Sequence, residues 1–389
     1  MATSTDSGDP STGGMMSPLR TAEVRWTNTS PVKALKEDLG HDPLELLILY
    51  VTPLADFDAV VAEAERLYPE TEVMACTTAG EIGQTGYSEG LVVAAGFPKG
   101  DFVSTVHMIP DLDTYDPQGT IDQIALDRVR LREAAPEMTD SFAFLVVDGL
   151  SRREDVLTAT IAPALRETPL FGASAGDGLD FKETRVALNG VVRRNAAVLA
   201  QVHSKHKMVV FSHDHFSPTD VRMVVTEADP ERRIVKMINA EPAGREYARI
   251  VGMDPEQLDR FTFASHPMVV RIGGEHHVRA IQQVNEKGEL VFFSAIDEGM
   301  VLTVARPENM VQNLQDLLDR LGDPVPPASI ITCDCILRRI EAEQGQSTRA
   351  LSEIMSQNNI LGFSTYGEQI GSLHVNQTMT GVAIYPSGK

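Results

Sequence analysis

The chain has 389 residues, 42% of them hydrophobic, which is enough to bury two ordinary cores. Its 34 Lys and Arg residues against 55 Asp and Glu residues give a net charge of −21, which repels phosphate backbones and makes nucleic acid an unexpected partner. No run approaches the roughly 18 apolar residues of a membrane-spanning helix, and the N-terminus lacks the basic and apolar stretches of a signal peptide. We therefore expect a cytoplasmic protein that does not enter a membrane.

We predict that residues 1–34 form a disordered or extended N-terminal tail. The first 19 of them are mainly Ser, Thr, Gly, Asp and Pro, so they have little to bury. Ordering such a segment costs conformational entropy without a compensating gain from burial.

Three strand–helix–strand units follow the tail. The first runs from an apolar segment at 44–51, through a helical pattern that ends near Tyr68, to a short strand at 72–76. The second begins at 142–147 and the third at 328–333. Units of this length form parallel crossovers, and the apolar runs after them predict antiparallel additions to the sheets. The sequence therefore predicts an α/β fold with two domains and mixed β-sheets.

Each unit ends in a similar turn of small residues. The three turns align on a glycine and the acid after it, in Gly80-Glu81, Gly176-Asp177 and Gly367-Glu368. Loops at the C-terminal ends of parallel strands commonly bind ligands, so these are three candidate binding loops. The alternative is that each glycine serves only the geometry of its turn.

A hairpin is predicted across the Asp229-Pro230 turn, between two runs of strand character. A helix is predicted to begin near Ala240, and another covers the segment ENMVQNLQDLLDRL. We place the domain boundary at this hairpin, so that residues 35–230 form the N-terminal domain and 231–389 the C-terminal one.

The chain resembles FIST-domain proteins over nearly its whole length, with an N-terminal and a C-terminal FIST segment. The resemblance rests on the segments ACTTAGEIG, VVDGLSRREDV, LFGASAGDG and ILGFSTYGEQ, and on HVNQTMTGVAIY. The segments CDCILRR and HVNQT are most similar to the bacterial nitric-oxide-sensing branch of the family. That resemblance implies a sensory protein that binds a b-type haem (heme b) and regulates a partner sensor histidine kinase or a similar signalling protein.

The resemblance also suggests the haem-binding residues. His374 matches the histidine of the HVNQT motif, and its imidazole is the expected axial ligand of the iron. Asn376 and Gln377 are expected to orient the imidazole or to contact a distal ligand. Cys335, beside Arg338 and Arg339, is the second candidate for the axial position. For His374 the alternative is a strand histidine bonded to a backbone carbonyl, and for Cys335 it is a small buried apolar side chain.

Other residues offer weaker candidate sites. His213 and His215 lie two apart, so on a strand they would share a face, which suits a metal ion but also ordinary exposure. His203 and His206 lie near lysines and are expected to be solvated. Arg152 and Arg153 follow a strand and are candidates to bind an acidic ligand such as a haem propionate, although an exposed pair at the start of a helix is commoner.

Two sensory functions and one enzymatic function are compatible with these patterns. The first is a haem sensor of nitric oxide or a related gas, with His374 on the iron. The second is a haem-free FIST module that binds a small metabolite such as an amino acid. Catalysis has little support, because Ser174 and Ser364 are not in a GxSxG elbow and no complete phosphate-binding or HExxH motif occurs. We therefore predict a sensor that is not an enzyme, and a homo-oligomer is compatible with that role.

Overall fold

The computed structural model describes residues 17–387, and within this range the strands form four sheets. Three repeats of similar element order form a body of three sheets. A fourth sheet is inserted in the third repeat. Among these residues no helix combines the length and the apolar character needed to cross a membrane.

The first two repeats have the same sequence of elements. The first comprises β1 (Arg20–Arg25), α1 (Pro31–Leu39), β2 (Leu44–Val51), α2 (Phe57–Leu67), β3 (Glu72–Thr77), β4 (Glu81–Gly83), β5 (Gly86–Ser88) and β6 (Leu91–Pro98). The second comprises β7 (Phe102–Ile109), α3 (Pro117–Ala134), β8 (Asp140–Val147), α4 (Glu154–Leu165), β9 (Leu170–Ser174), β10 (Val186–Leu188), β11 (Val191–Arg193) and β12 (Ala197–Ser204).

The third repeat is interrupted after its first strand, β13 (Met208–His213). The insertion comprises β14 (Phe216–Asp229), β15 (Ile234–Ile238), β16 (Glu241–Pro242), α5 (Ala243–Val251), α6 (Arg260–Ser265), β17 (Met268–Ile272), β18 (Glu275–Arg279), β19 (Ile281–Val284), β20 (Leu290–Phe292) and β21 (Val301–Pro307). The repeat then resumes with α7 (Met310–Leu321), β22 (Ser329–Cys335), α8 (Ile336–Gln344), α9 (Thr348–Gln357), β23 (Ile360–Thr365), β24 (Glu368–Ile370), β25 (Leu373–Val375) and β26 (Met379–Ile384).

The three sheets of the body share one plan. In each, a parallel pair lies beside an antiparallel strand from the same repeat, in the orders β6-β2-β3, β12-β8-β9 and β26-β22-β23. The hairpin after each turn does not stay with its own repeat. The β4-β5 hairpin pairs with β23, β10-β11 pairs with β3, and β24-β25 pairs with β9. The three sheets therefore exchange hairpins in a ring.

The parallel strands are apolar on both faces because each sheet packs against two layers. On β2, Leu46, Ile48 and Tyr50 face the core that the three sheets share. The alternate residues Leu47 and Leu49 face α1 and α2. This arrangement explains why the strand reads as a continuous apolar run, as expected for a parallel sheet covered on both faces.

The predicted α/β class, mixed sheets, repeated units and antiparallel additions are confirmed. The predicted hairpin is also present, as β14 and β15 pair across the 3-10 turn Pro230–Arg232. The boundary predicted between residues 230 and 231 falls in that turn and stays a prediction.

The predicted tail needs correction in part. Residues 1–16 lie outside the described residues, but Arg20–Arg25 forms β1 and Pro31–Leu39 forms α1. The strand forms because it pairs with β6 along its whole length and buries Ala22. The helix buries Val32 and Leu35, so both elements gain apolar burial that the composition of residues 1–19 does not offer.

Candidate functional site

The three predicted turns meet at the centre of the body. Each turn is joined to the others by backbone hydrogen bonds, which run from Ala79 N to Ser364 O (2.8 Å), from Ser174 N to Gly367 O (2.8 Å) and from Gly176 N to Thr77 O (3.2 Å). A Cβ atom at Gly176 would lie 2.7 Å from the Cβ of Ala79, so the contact leaves no room for a side chain. Gly176 therefore allows the first and second repeats to approach one another closely.

The glutamates that follow two of these glycines are buried. Glu81 accepts a hydrogen bond from Thr78 Oγ1 at 2.5 Å, and Glu368 accepts one from Thr365 Oγ1. Thr378 Oγ1 also donates to Glu368 at 2.7 Å. Burial raises the pKa of Glu368 to about 8, and it also raises the pKa of Glu81. Each of these acids is hydrogen-bonded within its own repeat, inside the protein.

His374 lies on β25, in a strand as predicted, and is 2% exposed. Its Nδ1 atom is 3.1 Å from Nε2 of Gln369, and its carbonyl oxygen accepts a hydrogen bond of 3.1 Å from Arg279 Nη1 of the fourth sheet. The ring lies against Gly367, where an added Cβ would be 2.4 Å from His374 Cε1. Burial lowers the pKa of His374, and the nearby carboxylates of Asp155 and Glu154 oppose that effect without reversing it. The imidazole is therefore neutral near pH 7.

Two acids from the start of α4 face this imidazole. Oxygen atoms of Glu154 and Asp155 and a ring nitrogen of His374 lie within 4.8 Å of one another. Arg233, the residue directly before β15, donates from Nη2 to Glu154 at 2.6 Å and to Asp155 at 3.1 Å. Arg233 and Glu154 are both buried. A charged cluster therefore joins the second repeat, the third repeat and the fourth sheet.

The sequence did not single out Glu154, Asp155 or Arg233. The two acids lie within the VVDGLSRREDV segment, but a pair of acids in the first turn of a helix is also the common complement to its dipole. Arg233 belongs to a polar run beside a turn and carries no motif. Only the packing of the fourth sheet against the body brings these residues together.

Asn376 and Gln377 also lie where the fourth sheet meets the body, and both are fully buried. Gln377 Nε2 donates to the carbonyl oxygen of Ala264 at 2.7 Å, and the backbone NH of Ala280 donates to Asn376 Oδ1 at 3.5 Å. The structure therefore brings three of the predicted residues, His374, Asn376 and Gln377, to one interface.

Arg338, at the start of α8, has other partners. Its Nε donates to Asp334 at 2.7 Å and its Nη1 donates to Nδ1 of His215 at 2.8 Å. Arg339 donates from Nη1 to the carbonyl oxygen of Ser88, on the exchanged β4-β5 hairpin, at 3.1 Å. Both arginines therefore stabilise internal contacts of the body.

Cys335 is packed in an apolar cluster that includes Ile336 and Tyr366. Burial raises the pKa of its thiol well above the usual range, so the sulfur carries its proton at neutral pH. This environment matches the alternative of a small buried apolar side chain.

The histidines at 213 and 215 do not share a face, because β13 ends between them. His213 Nε2 contacts the carbonyl oxygen of Asn313 at 3.1 Å, whereas His215 Nε2 donates to Glu341 at 2.9 Å. The exposure expected for His203 and His206 is also wrong, since they are 7% and 6% exposed. His203 is on β12, which lies between β8 and β7 inside its sheet, and His206 stacks on Phe102.

A cleft lies between the body and the fourth sheet, at the C-terminal ends of β8 and β9. It consists of two adjacent cavities of about 310 and 500 Å³, whose common wall includes Phe181, Phe293, Gln282 and Gln283. The smaller one is lined by three arginines, Arg152, Arg232 and Arg233. The larger one has an apolar side formed by Ile336, Leu337 and Ile340 of α8 and by Phe263 of α6.

Two of the three arginines in the smaller cavity have no acidic partner. The third, Arg233, is paired within the charged cluster. Arg153, which does not line the cavity, is paired with Asp113 at 2.6 Å. Among the described residues, Arg152 and Arg232 form no ion pair, and both are exposed. In a chain of net charge −21, two arginines that line one cavity without such a pair are candidates to bind an anion.

The surroundings of His374 do not fit a haem group in this arrangement. Haem needs an apolar slot for the macrocycle beside its axial ligand. The imidazole of His374 instead faces Gln369 and two carboxylates, and its edge is covered by Gly367. The cleft offers aromatic walls and arginines, but the residues that line its two cavities do not include His374.

Comparison with known protein families covers most of the chain. The FIST N domain family matches residues 45–241, and the FIST C domain family matches residues 243–371. No curated protein matches the chain. FIST domains are sensory domains of signal transduction, which agrees with a ligand-sized cleft at a junction of sheets. The chain therefore belongs to the FIST family and carries both the N and the C domain of that family.

Proposed function

We propose that this FIST protein senses a small metabolite that carries a carboxylate group, such as an amino acid, in the cleft between the body and the fourth sheet. The observation that carries the proposal is that Arg152 and Arg232, which form no ion pair among the described residues, line one cavity that also has aromatic walls. Guanidinium groups bind carboxylates through paired hydrogen bonds, and Phe181 and Phe293 offer apolar surface to the rest of the ligand.

The position of the cleft supplies a mechanism for signalling. Arg152 belongs to the body and Arg232 to the fourth sheet, so a ligand that binds both favours one arrangement of the two parts. A ligand shifts a conformational equilibrium only through its different affinity for the two states. The output is then a changed surface at the junction, which a partner recognises.

The partner expected from the sequence resemblance is a sensor histidine kinase or a similar signalling protein. The net charge of −21 favours a partner with a basic docking surface. Such an association weakens as ionic strength rises, because salt screens charges at exposed surfaces. The protein acts in this proposal as a cytoplasmic sensor and not as an enzyme.

Haem with nitric oxide is the second candidate ligand, and it comes from the resemblance of the CDCILRR and HVNQT segments. Two features favour it: a neutral, buried imidazole at His374, and arginines in a nearby cleft to receive propionates. The charged neighbours of His374 count against it, because two carboxylates paired with Arg233 lie beside the imidazole and the residues that line the cleft do not include His374.

A thermal-shift screen on the full chain tests the proposal and separates the two ligands. The panel contains L-amino acids, small dicarboxylates and haemin. A ligand at 100 times its Kd stabilises the folded state by about 2.7 kcal/mol, which appears as a rise in Tm of several degrees. We expect a carboxylate to raise Tm, and we expect Arg152→Ala and Arg232→Ala to abolish the rise.

Arg222→Ala is the matched control, because Arg222 is exposed on the fourth sheet and does not line the cleft. A carboxylate response that survives both cleft substitutions contradicts the proposed site. If haemin alone stabilises the chain, and His374→Ala changes its Soret band, the haem candidate is correct and the carboxylate proposal fails.

A further inference from the structure

We propose that Glu154, Asp155 and His374 form a binding site for a divalent transition-metal ion of the zinc class, and that this ion competes with Arg233 for the site. The site goes beyond the carboxylate proposed for the cleft and does not depend on it. Its three ligand groups come from two repeats, and the cation that competes for them comes from the fourth sheet.

The donor set suits such an ion. One imidazole nitrogen and two carboxylates are common zinc ligands, and three protein ligands leave a fourth position for water. The ligand atoms lie within 4.8 Å of one another, so that movements on the order of 1 Å bring them to coordination distance.

The second observation is the amide of Gln369. It is fully buried, its Nε2 atom contacts both Nδ1 of His374 and Oγ of Ser174, and its Oε1 atom has no hydrogen-bond partner among the described residues. Histidines that bind metals usually donate their other ring NH to an oxygen atom. Rotation of the Gln369 amide by half a turn places Oε1 against Nδ1, so that Nδ1 carries the proton and the lone pair of Nε2 is free for the ion.

Arg233 already occupies the place of a cation. Its guanidinium group bridges Glu154 and Asp155 with contacts of 2.6 and 3.1 Å. It also lines the cavity of about 310 Å³, so it has open space to enter when an ion displaces it. Exchange of Arg233 for a metal ion removes an ion pair that joins the fourth sheet to the body. Metal binding is therefore a way to release this junction.

Titration of the full chain with Zn²⁺ against a chromogenic chelator, without any organic ligand, tests the site. We expect one ion per chain, and we expect His374→Ala and Glu154→Gln to weaken binding by roughly 100-fold or more. His41→Ala is the matched control, because His41 is exposed and lies outside the cluster. Arg233→Met is expected to tighten binding, roughly tenfold, because the competing cation is gone.

Co²⁺ gives a second readout that needs no substitution at Arg233. Binding through one imidazole and two carboxylates is expected to produce visible d–d absorption that His374→Ala abolishes. The proposal is overturned if Zn²⁺ binding is unchanged in His374→Ala and Glu154→Gln. It is also overturned if Arg233→Met folds and binds Zn²⁺ no more tightly than the unaltered chain. Either result leaves the carboxylate response of the cleft untouched, so the two proposals fail separately.

Discussion

Replacement of Arg233 by methionine tests whether the charged cluster holds the fourth sheet against the body. The side chains of Arg233 and Glu154 are 7% and 2% exposed, so their ion pair is screened little by water. Methionine keeps most of the apolar stem and removes the charge. Glu154 is then left buried without its counterion, a change that typically costs 3–5 kcal/mol.

The expected loss lies at the lower end of that range, at about 3 kcal/mol of unfolding free energy. Asp155 is 20% exposed, so water can stabilise part of the charge that Arg233 leaves behind. The assay is urea denaturation at neutral pH, followed by far-ultraviolet circular dichroism. The double variant with Glu154→Gln should lose at least about 1 kcal/mol less than the sum of the two single variants, because it contains no unpaired buried charge.

Arg349→Met is the matched control for this prediction. Arg349 pairs with Glu353 at 2.8 Å on α9, but their side chains are 91% and 58% exposed. Exposed pairs of this kind contribute about 0.3–0.5 kcal/mol. If Arg233→Met costs no more than Arg349→Met, the cluster does not stabilise the junction and our reasoning about it is wrong.

Three further predictions address the body. Glu368→Gln should flatten the pH dependence of stability, because the pKa of Glu368 in the folded state is raised to about 8. The stability that the protonated Glu368 contributes is complete below about pH 4.5 and is lost as the pH rises to about 8. In urea denaturation, the unfolding free energy of the unaltered chain should therefore fall more from about pH 5.5 to 8 than that of the variant, and equal falls would refute the raised pKa. Gly367→Ala should cost about 1–3 kcal/mol, because the new Cβ would lie 2.4 Å from His374 Cε1, and an unchanged Tm would show that the ring is not packed on this turn. Ile82→Ala, on the exchanged β4 strand, should lower the unfolding free energy by about 2–5 kcal/mol, because Ile82 is fully buried against the third repeat. Val191→Ala on the exposed β11 strand is the control and should cost far less. Similar losses for the two variants in thermal or urea denaturation would contradict the hairpin exchange.

The local pattern of the sequence was enough to predict the repeated units. The apolar runs at β2, β8 and β22 are buried on both faces, and such runs are typical of covered parallel strands. The turns after β3, β9 and β23 align by glycine, and backbone hydrogen bonds join the three repeats at these turns. These features depend on short-range patterning, which a single sequence displays.

The exchange of hairpins could not be predicted in the same way. The β4 strand pairs with β23, about 280 residues further along the chain, through contacts such as Gly362 with Ile82. Nothing in the three residues of β4 distinguishes this partner from β3, which precedes it directly. Pairing over such a distance is decided by tertiary packing and not by local preference.

The site shows the same division between local and long-range information. His374, Asn376 and Gln377 lie within one short segment, HVNQT, and were predicted from its resemblance to a family motif. Arg338 and Arg339 share a segment with Cys335, but the start of a helix directs their side chains to Asp334 and to the β4-β5 hairpin. The partners that surround His374, namely Glu154, Asp155, Arg233 and Arg279, come from two other parts of the chain.

Hydrogen–deuterium exchange of the full chain is the most direct test of the central claim, which is that a ligand in the cleft bridges the body and the fourth sheet. The measurement compares the free chain with the chain saturated by the carboxylate that raises Tm most. We predict slower exchange in two separate segments, the loop at 149–153 of the body and residues 282–293 of the fourth sheet, because both line the cavity beside Arg152 and Arg232. Protection confined to one of these segments, or located away from both, would contradict the account.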